Sequence, residues 1–224
     1  MCGRFTLTSN GKDLMDDLEI STGNSNYTWQ PSYNIYPAQK IPVITFNNER
    51  IIQGMFWGLI PSWSKNIKIG HRIINAREET LTEKSSYKNL VQSQRCIVIA
   101  DGYYEWMQTS HGKKPYYIFA PENIILPFAG LWNRWENDEK QHKTSCTIIT
   151  TEASKQLKHI HNRMPVIIDK DRIDEWIDCN HPQGLAIQLL KPYSHSLEYY
   201  PVSTFVNTPI NNSLRCIEPI KIEE

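Results

Sequence analysis

The chain has 224 residues, of which 40% are apolar and 21% charged, and its 24 Lys plus Arg balance 24 Asp plus Glu. That length and composition fit one generous packed domain or two very small ones, with the predicted elements favouring a single α+β domain over residues 1–224, and exclude a disordered chain or a polybasic tail, while a local basic patch for nucleic acid stays open. No apolar stretch approaches the ~20 residues of a membrane helix, and the opening MCGRFTLTSN has no apolar signal-peptide core, so a cytoplasmic protein is expected.

The first predicted element is a helix from Asp13 to Glu19, with Leu14 and Leu18 one turn apart and Ser9 or Asn10 as its cap. Strands follow over Pro42 to Phe46 and Ile51 to Leu59, each β-branched or aromatic and bounded by turn residues. Ser85 to Gln92 reads as a helix with Tyr87, Leu90 and Val91 on one face. The next strands are Arg95 to Ala100, Pro115 to Ala120, Ile124 to Trp132 and Ser145 to Thr151. Thr151 then opens a short helix through Leu157, and Pro165 to Ile168 is a further strand. Helices over Asp171 to Ile177 and Pro182 to Leu190 close the series. Strands interspersed with short helices, without repeats or low-complexity linkers, imply a largely antiparallel sheet or barrel flanked by short helices.

Five cysteines lie far apart with no CxxC pair, which argues against a zinc ribbon or a disulfide framework and for a reducing compartment. Cys96 and Cys146 sit in apolar runs and read as inert core thiols. Cys2 is different. Removal of Met1 would leave a cysteine with a free α-amine, and amine and thiol both titrate near neutrality. Such a 1,2-aminothiol condenses with an aldehyde to an imine and then closes a five-membered thiazolidine. Alternatively, the thiol acts as a nucleophile with its own amine as base.

Three polar residues each precede an arginine by two: Cys2 and Arg4, Asn75 and Arg77, His161 and Arg163. In an extended chain such pairs share a face, so each group would stand beside a guanidinium suited to phosphate. In Asp101-Gly102-Tyr103-Tyr104-Glu105-Trp106 an acid stands among aromatics after a turn signal. Desolvation there would raise the proton affinity of Glu105 and make it a general acid or base, while Trp106 offers a stacking face for an unpaired base. The plainer alternative is a Glu105 salt bridge and a core Trp106. His159 and His161 lack further ligands for a metal, and His71, His111, His142, His181 and His195 lie in polar, loop-like surroundings. Tyr116, Tyr117, Trp132 and Trp135 read as core or sheet packing, and the isolated glycines form no phosphate loop.

In order along the chain, Met1-Cys2-Gly3-Arg4-Phe5, Asn75-Ala76-Arg77 with Glu79-Thr80, Asp101 to Trp106, and Ile160-His161 with Arg163-Met164-Pro165 resemble the SRAP family, named for SOS response-associated peptidase. Supporting stretches are Phe56 to Trp63, Phe128 to Trp132, Thr147 to Thr151, Val202-Ser203 and Val206-Asn207, so the resemblance covers nearly the whole chain. It implies an α+β domain around a distorted β-barrel and covalent capture of abasic sites in single-stranded DNA, with no cofactor, metal or membrane and with a monomer as the default. By this resemblance Cys2 forms the thiazolidine, Asn75 orients the N-terminal residue or the opened sugar, Glu105 shuttles protons and His161 serves the sugar oxygens. Removal of the chain's own leading residue is implied as well. Arg4, Arg77 and Arg163 are the expected phosphate contacts and Trp63 and Trp106 the stacking or wedging residues, with Lys65 and Arg72 behind them. Two other readings use the same sequence: a thiol peptidase or amidohydrolase acting on other substrates, and a non-catalytic single-stranded DNA-binding module.

Overall fold

A computed structural model describes residues 2–25, 27–121 and 125–220. Two sheets share one core. In the first, β4 (Arg50–Trp57), β3 (Lys40–Phe46), β6 (Arg95–Ala100), β9 (Leu126–Glu136) and β10 (His142–Glu152) pair in that order, and β10 returns to β4, closing a five-stranded barrel. The short strands β5 (Asn75–Arg77) and β11 (Arg163–Pro165) add to β10. Among the described strands only β10 with β4 and β10 with β5 run parallel. The second sheet has the order β12 (Glu198–Pro201), β8 (Gly112–Phe119), β7 (Gly102–Thr109), β1 (Arg4–Leu7) and β2 (Ser32–Ile35).

Closure of the barrel leaves its wall strands almost wholly apolar. Val43, Ile44, Ile97, Val98, Phe128, Leu131, Ile148 and Ile149 are all fully buried, which is why Cys96 to Ala100 of β6 read as an unbroken hydrophobic run rather than an alternating one. Cys96 and Cys146 lie in this core, and burial holds both thiols in the neutral form. Phe5 of β1 and Tyr103 of β7 meet Phe128 of β9 edge-on at centroid distances of 6.2 and 5.9 Å, tying the second sheet to the barrel.

The corner between β6 and β7 fixes where β1 runs. Buried Asp101 accepts hydrogen bonds from the Thr6 hydroxyl at 2.5 Å, the Thr8 hydroxyl at 2.7 Å and the Thr8 amide. Gly102, the next residue, packs so closely on Tyr117 that a Cβ would lie 2.3 Å from its hydroxyl, so no other residue fits there without displacing the ring.

The helices are shorter than expected. α1 (Gly11–Asp17) is capped by Asn10, whose side chain accepts from the amides of Lys12 and Asp13. The predicted helix over Ser85 to Gln92 is a run of turns leading into α2 (Leu90–Ser93), although Tyr87, Leu90 and Val91 are buried together. The helix expected after Thr151 is replaced by strand and turns, because Thr151 and Glu152 continue β10 opposite Met164 and Arg163. α3 (Ile173–Ile177) and α4 (Gln183–Ile187) lie within the predicted ranges. Of the strand expected over Ile124 to Trp132, Ile124 lies outside the described residues. No described helix is long and apolar enough to cross a membrane.

Candidate active site

Cys2 precedes β1 and is fully buried, its sulfur 3.8 Å from the carbonyl oxygen of Arg4. Burial pushes the thiol well above its ordinary range, and the neighbouring Glu105 carboxylate pushes it further. Asn75 reaches this residue from the barrel side. Parallel pairing of Asn75 with Ile148 places it, and the Trp57 indole N–H bound to the Ile74 carbonyl at 2.9 Å steadies the approach. Its Nδ2 donates to the Cys2 carbonyl at 2.8 Å. Its Oδ1 is buried and accepts no hydrogen bond among the described residues, leaving an acceptor beside the N-terminal cysteine.

Glu105 comes from β7, whose antiparallel register with β1 matches Tyr104 to Arg4 and so brings Glu105 alongside the start of the chain. It is 3% exposed. Desolvation pushes its carboxyl up to about 7, against the opposing pull of the amino-terminal charge and the Trp106 amide. His161 lies just before β11, with Nδ1 accepting from the Arg163 amide at 3.0 Å and standing 4.0 Å from Glu105 Oε1. Burial, followed by the amino-terminal charge, pulls the imidazole below its ordinary value and favours the neutral ring. The usual order of the two groups is thereby reversed, the carboxyl holding its proton more tightly than the ring, an arrangement that suits proton transfer near neutral pH.

The expected arginine faces are not what the structure contains. His161 folds back onto the Arg163 amide instead of standing beside its guanidinium. Arg163 grips both oxygens of Glu79 and the Thr150 carbonyl, and its side chain is 10% exposed. Arg4 points away from the Cys2 thiol, donating to Asn34 Oδ1 at 2.8 Å and to the carbonyls of Val206 and Asn207 at 2.7 and 3.2 Å. Both guanidiniums hydrogen-bond to groups of the fold, and Arg163 also borders a cavity beside His161. Arg77 is exposed and lines a cavity of about 560 Å³ with Glu152, Lys158, His161, Asn162 and Arg163.

On the other side of His161 a second cavity, about 370 Å³, is lined by Glu105, Trp106, Lys113, His161 and Asn207. The Trp106 indole donates to Asn207 Oδ1 at 2.8 Å, which orients its ring at the cavity edge. Trp63 is 58% exposed and lines neither cavity. Lys65 and Arg72 are exposed and also line neither cavity. Lys113 and Lys158 carry no local motif that marks them as lining residues, whereas Asn207 falls in the Val206-Asn207 stretch already noted in the sequence. Among the described residues no three His, Cys, Asp or Glu side chains gather as a metal site.

The family model for SOS response associated peptidase (SRAP) matches residues 1–209. The chain belongs to the SRAP family. Within this family it is 40% identical over 222 residues to the abasic site processing protein YoaM of Bacillus subtilis, covering 97% of this chain and 98% of that protein. It is 36% identical to the abasic site processing protein HMCES of Gallus gallus, covering 87% of this chain and 68% of the relative. A crystal structure of a Bacteroides thetaiotaomicron protein shares the fold with a TM-score of 0.88 at 24% identity, covering 98% of this chain and all of that one. This SRAP chain is thus a mixed α+β domain built on a five-stranded barrel, with the cysteine of its N-terminal motif fully buried and held by Asn75 of β5.

Proposed function

We propose that this chain captures abasic sites in single-stranded DNA by a covalent bond to Cys2. The observation that carries the reading is that Asn75 holds the Cys2 backbone, Glu105 lies near enough to act on the Cys2 thiol, and His161 stands 4.0 Å from Glu105 with both lining one cavity, the four coming from separate segments. The names of the relatives YoaM and HMCES support the same reading. All four groups belong to one chain, so a monomer suffices, and a reducing cytoplasm keeps the thiol free.

Met1 lies outside the described residues, and its removal is part of the proposal. Hydrolysis of the Met1–Cys2 amide, the self-processing step, frees the α-amine. That amine adds to the C1′ aldehyde of the ring-opened sugar, and the former aldehyde oxygen takes up protons and leaves as water, giving an iminium. Asn75 holds the Cys2 backbone so that the amine faces the sugar, with Oδ1 as the acceptor for its N–H. His161 supplies and recovers protons at the sugar oxygens. The thiol then adds to C1′: the S–C bond forms, the C=N pair returns to nitrogen and the thiol proton passes to the Glu105 carboxylate. Loss of the iminium removes the group that acidifies C2′, so β-elimination and strand breakage are suppressed. Trp106 stacks or wedges beside the lesion, and Arg77 meets a flanking phosphate.

The test is a heat- and SDS-stable adduct with a single-stranded abasic oligonucleotide, expected for wild type and lost in Cys2→Ala. Protein shown by intact mass to lack Met1 that still forms no adduct overturns the reading.

A further inference from the structure

Trp106 stands at the cavity edge on a mounting whose parts come from opposite ends of the chain. Its ring is partly buried and leans on Tyr104, tilted at a centroid distance of 6.5 Å. The indole has one polar group, its N–H, and that donor is fixed on Asn207 Oδ1 at 2.8 Å. Asn207 is itself exposed, and an exposed asparagine on an untethered loop would hold nothing in place.

Here the loop is tethered. Arg4 donates to the carbonyls of Val206 and Asn207 at 2.7 and 3.2 Å and to Asn34 Oδ1 at 2.8 Å. Asn34, 1% exposed, turns its Nδ2 to the carbonyls of Val206 and Thr208, each at 3.2 Å, and of Asn211 at 2.7 Å. Side chains of β1 and β2 thus grip the segment 206–211 by its backbone, which leaves the Asn207 side chain for Trp106. Of that gripped segment only Asn207 lines the cavity shared by Glu105, Lys113 and His161. The grip also reaches the nucleophile, because the carbonyl oxygen of the same Arg4 lies 3.8 Å from Cys2 Sγ.

We propose that Asn207 is a positioning residue for lesion binding: it holds the Trp106 indole where the ring stacks on the base beside an abasic site, and the Arg4–Asn34 grip keeps that ring in register with Cys2. The inference rests on the covalent-capture reading and deepens it. Asn207 makes and breaks no covalent bond, so its effect falls on binding of the strand and not on the steps that follow.

Asn207→Leu keeps the bulk of the side chain and removes the acceptor. With Met1-free protein and a single-stranded abasic oligonucleotide, the half-saturating concentration for adduct formation is expected to rise about 3- to 10-fold while the limiting rate stays within about twofold. In a Trp106→Phe background, which has no N–H to hold, the same substitution is expected to change half-saturation by less than about 1.5-fold. Two further oligonucleotides carry 2-aminopurine on the 5′ or the 3′ side of the lesion. Wild type is expected to quench the fluorescence of one of them by stacking, and Asn207→Leu to lose that quenching. A fall in limiting rate with half-saturation unchanged overturns the inference. So does the full loss repeated in Trp106→Phe, which marks a role in loop folding alone. Should the leucine variant fail to fold, Asn207→Ala carries the same comparisons. Wild type that forms the adduct but quenches neither probe also overturns the inference, whereas wild type that forms no adduct overturns the capture reading instead.

Discussion

His161 Nδ1 and Glu105 Oε1 stand 4.0 Å apart, outside direct hydrogen-bond reach, with the carboxylate buried and the imidazole 28% exposed. The carboxyl is raised to about 7 and the imidazole lowered, so near neutral pH the carboxyl holds a proton about half the time while the ring is mostly neutral. If Glu105 takes the thiol proton, crosslinking should rise with pH through an inflection near 7 that is missing in Glu105→Gln. Single-turnover adduct yields measured across pH for both proteins check this. The Cys2 amine titrates in both, so the difference profile is the diagnostic quantity.

The same carboxyl has a cost in stability. Its proton affinity is higher folded than unfolded, so the native state holds the proton more tightly between the two values and stability falls as pH rises from about 4.5 to about 7. Above that range the loss is constant, on the order of 3 kcal/mol. Glu105→Gln should therefore melt higher than wild type at pH 8, with the gap shrinking toward pH 4.5. A gap independent of pH in thermal denaturation would contradict it.

Arg4 and Arg77 should separate cleanly. Arg4→Ala removes charged hydrogen bonds to Asn34, Val206 and Asn207 and should cost about 2–4 kcal/mol of stability while the salt dependence of DNA binding is unchanged. Arg77→Ala touches an exposed side chain and should leave stability within about 0.5 kcal/mol. Its log–log salt slope for single-stranded DNA should fall by about 0.7, the value for one phosphate. Chemical denaturation and titrations at several salt concentrations supply both readouts.

Asn75→Asp keeps the size of the side chain and removes the donor to the Cys2 carbonyl. An unprotonated carboxylate there also repels that carbonyl. Adduct formation should slow by about 10- to 100-fold while global stability drops by only about 1–3 kcal/mol. Undiminished crosslinking would remove Asn75 from the reaction.

The parts of the molecule that sequence reveals are those whose reasons are local. The run from Arg95 to Ala100 is β6 to the residue, since a buried barrel strand is apolar on both faces. The expected proton affinity of Glu105 rests on its own aromatic neighbours and agrees with the direction found. β1 and β5 are too short to show a period, and partners far along the chain hold them. Arg4 defeats a same-face argument for the same reason, because Val206 and Asn207 lie about two hundred residues downstream. Arg163 does so because Glu79, from a different segment, claims its fork.

β1 lies between β7 and β2, hydrogen-bonded on both flanks, and Cys2 lies two residues before its first residue, Arg4. Tension applied at Cys2 along the strand would load both ladders in shear rather than peel them open one rung at a time. A molecular machine hauling on a strand fastened there would meet the mechanical resistance of an interior ribbon, and extracting the protein would demand rupture of the sheet as a whole.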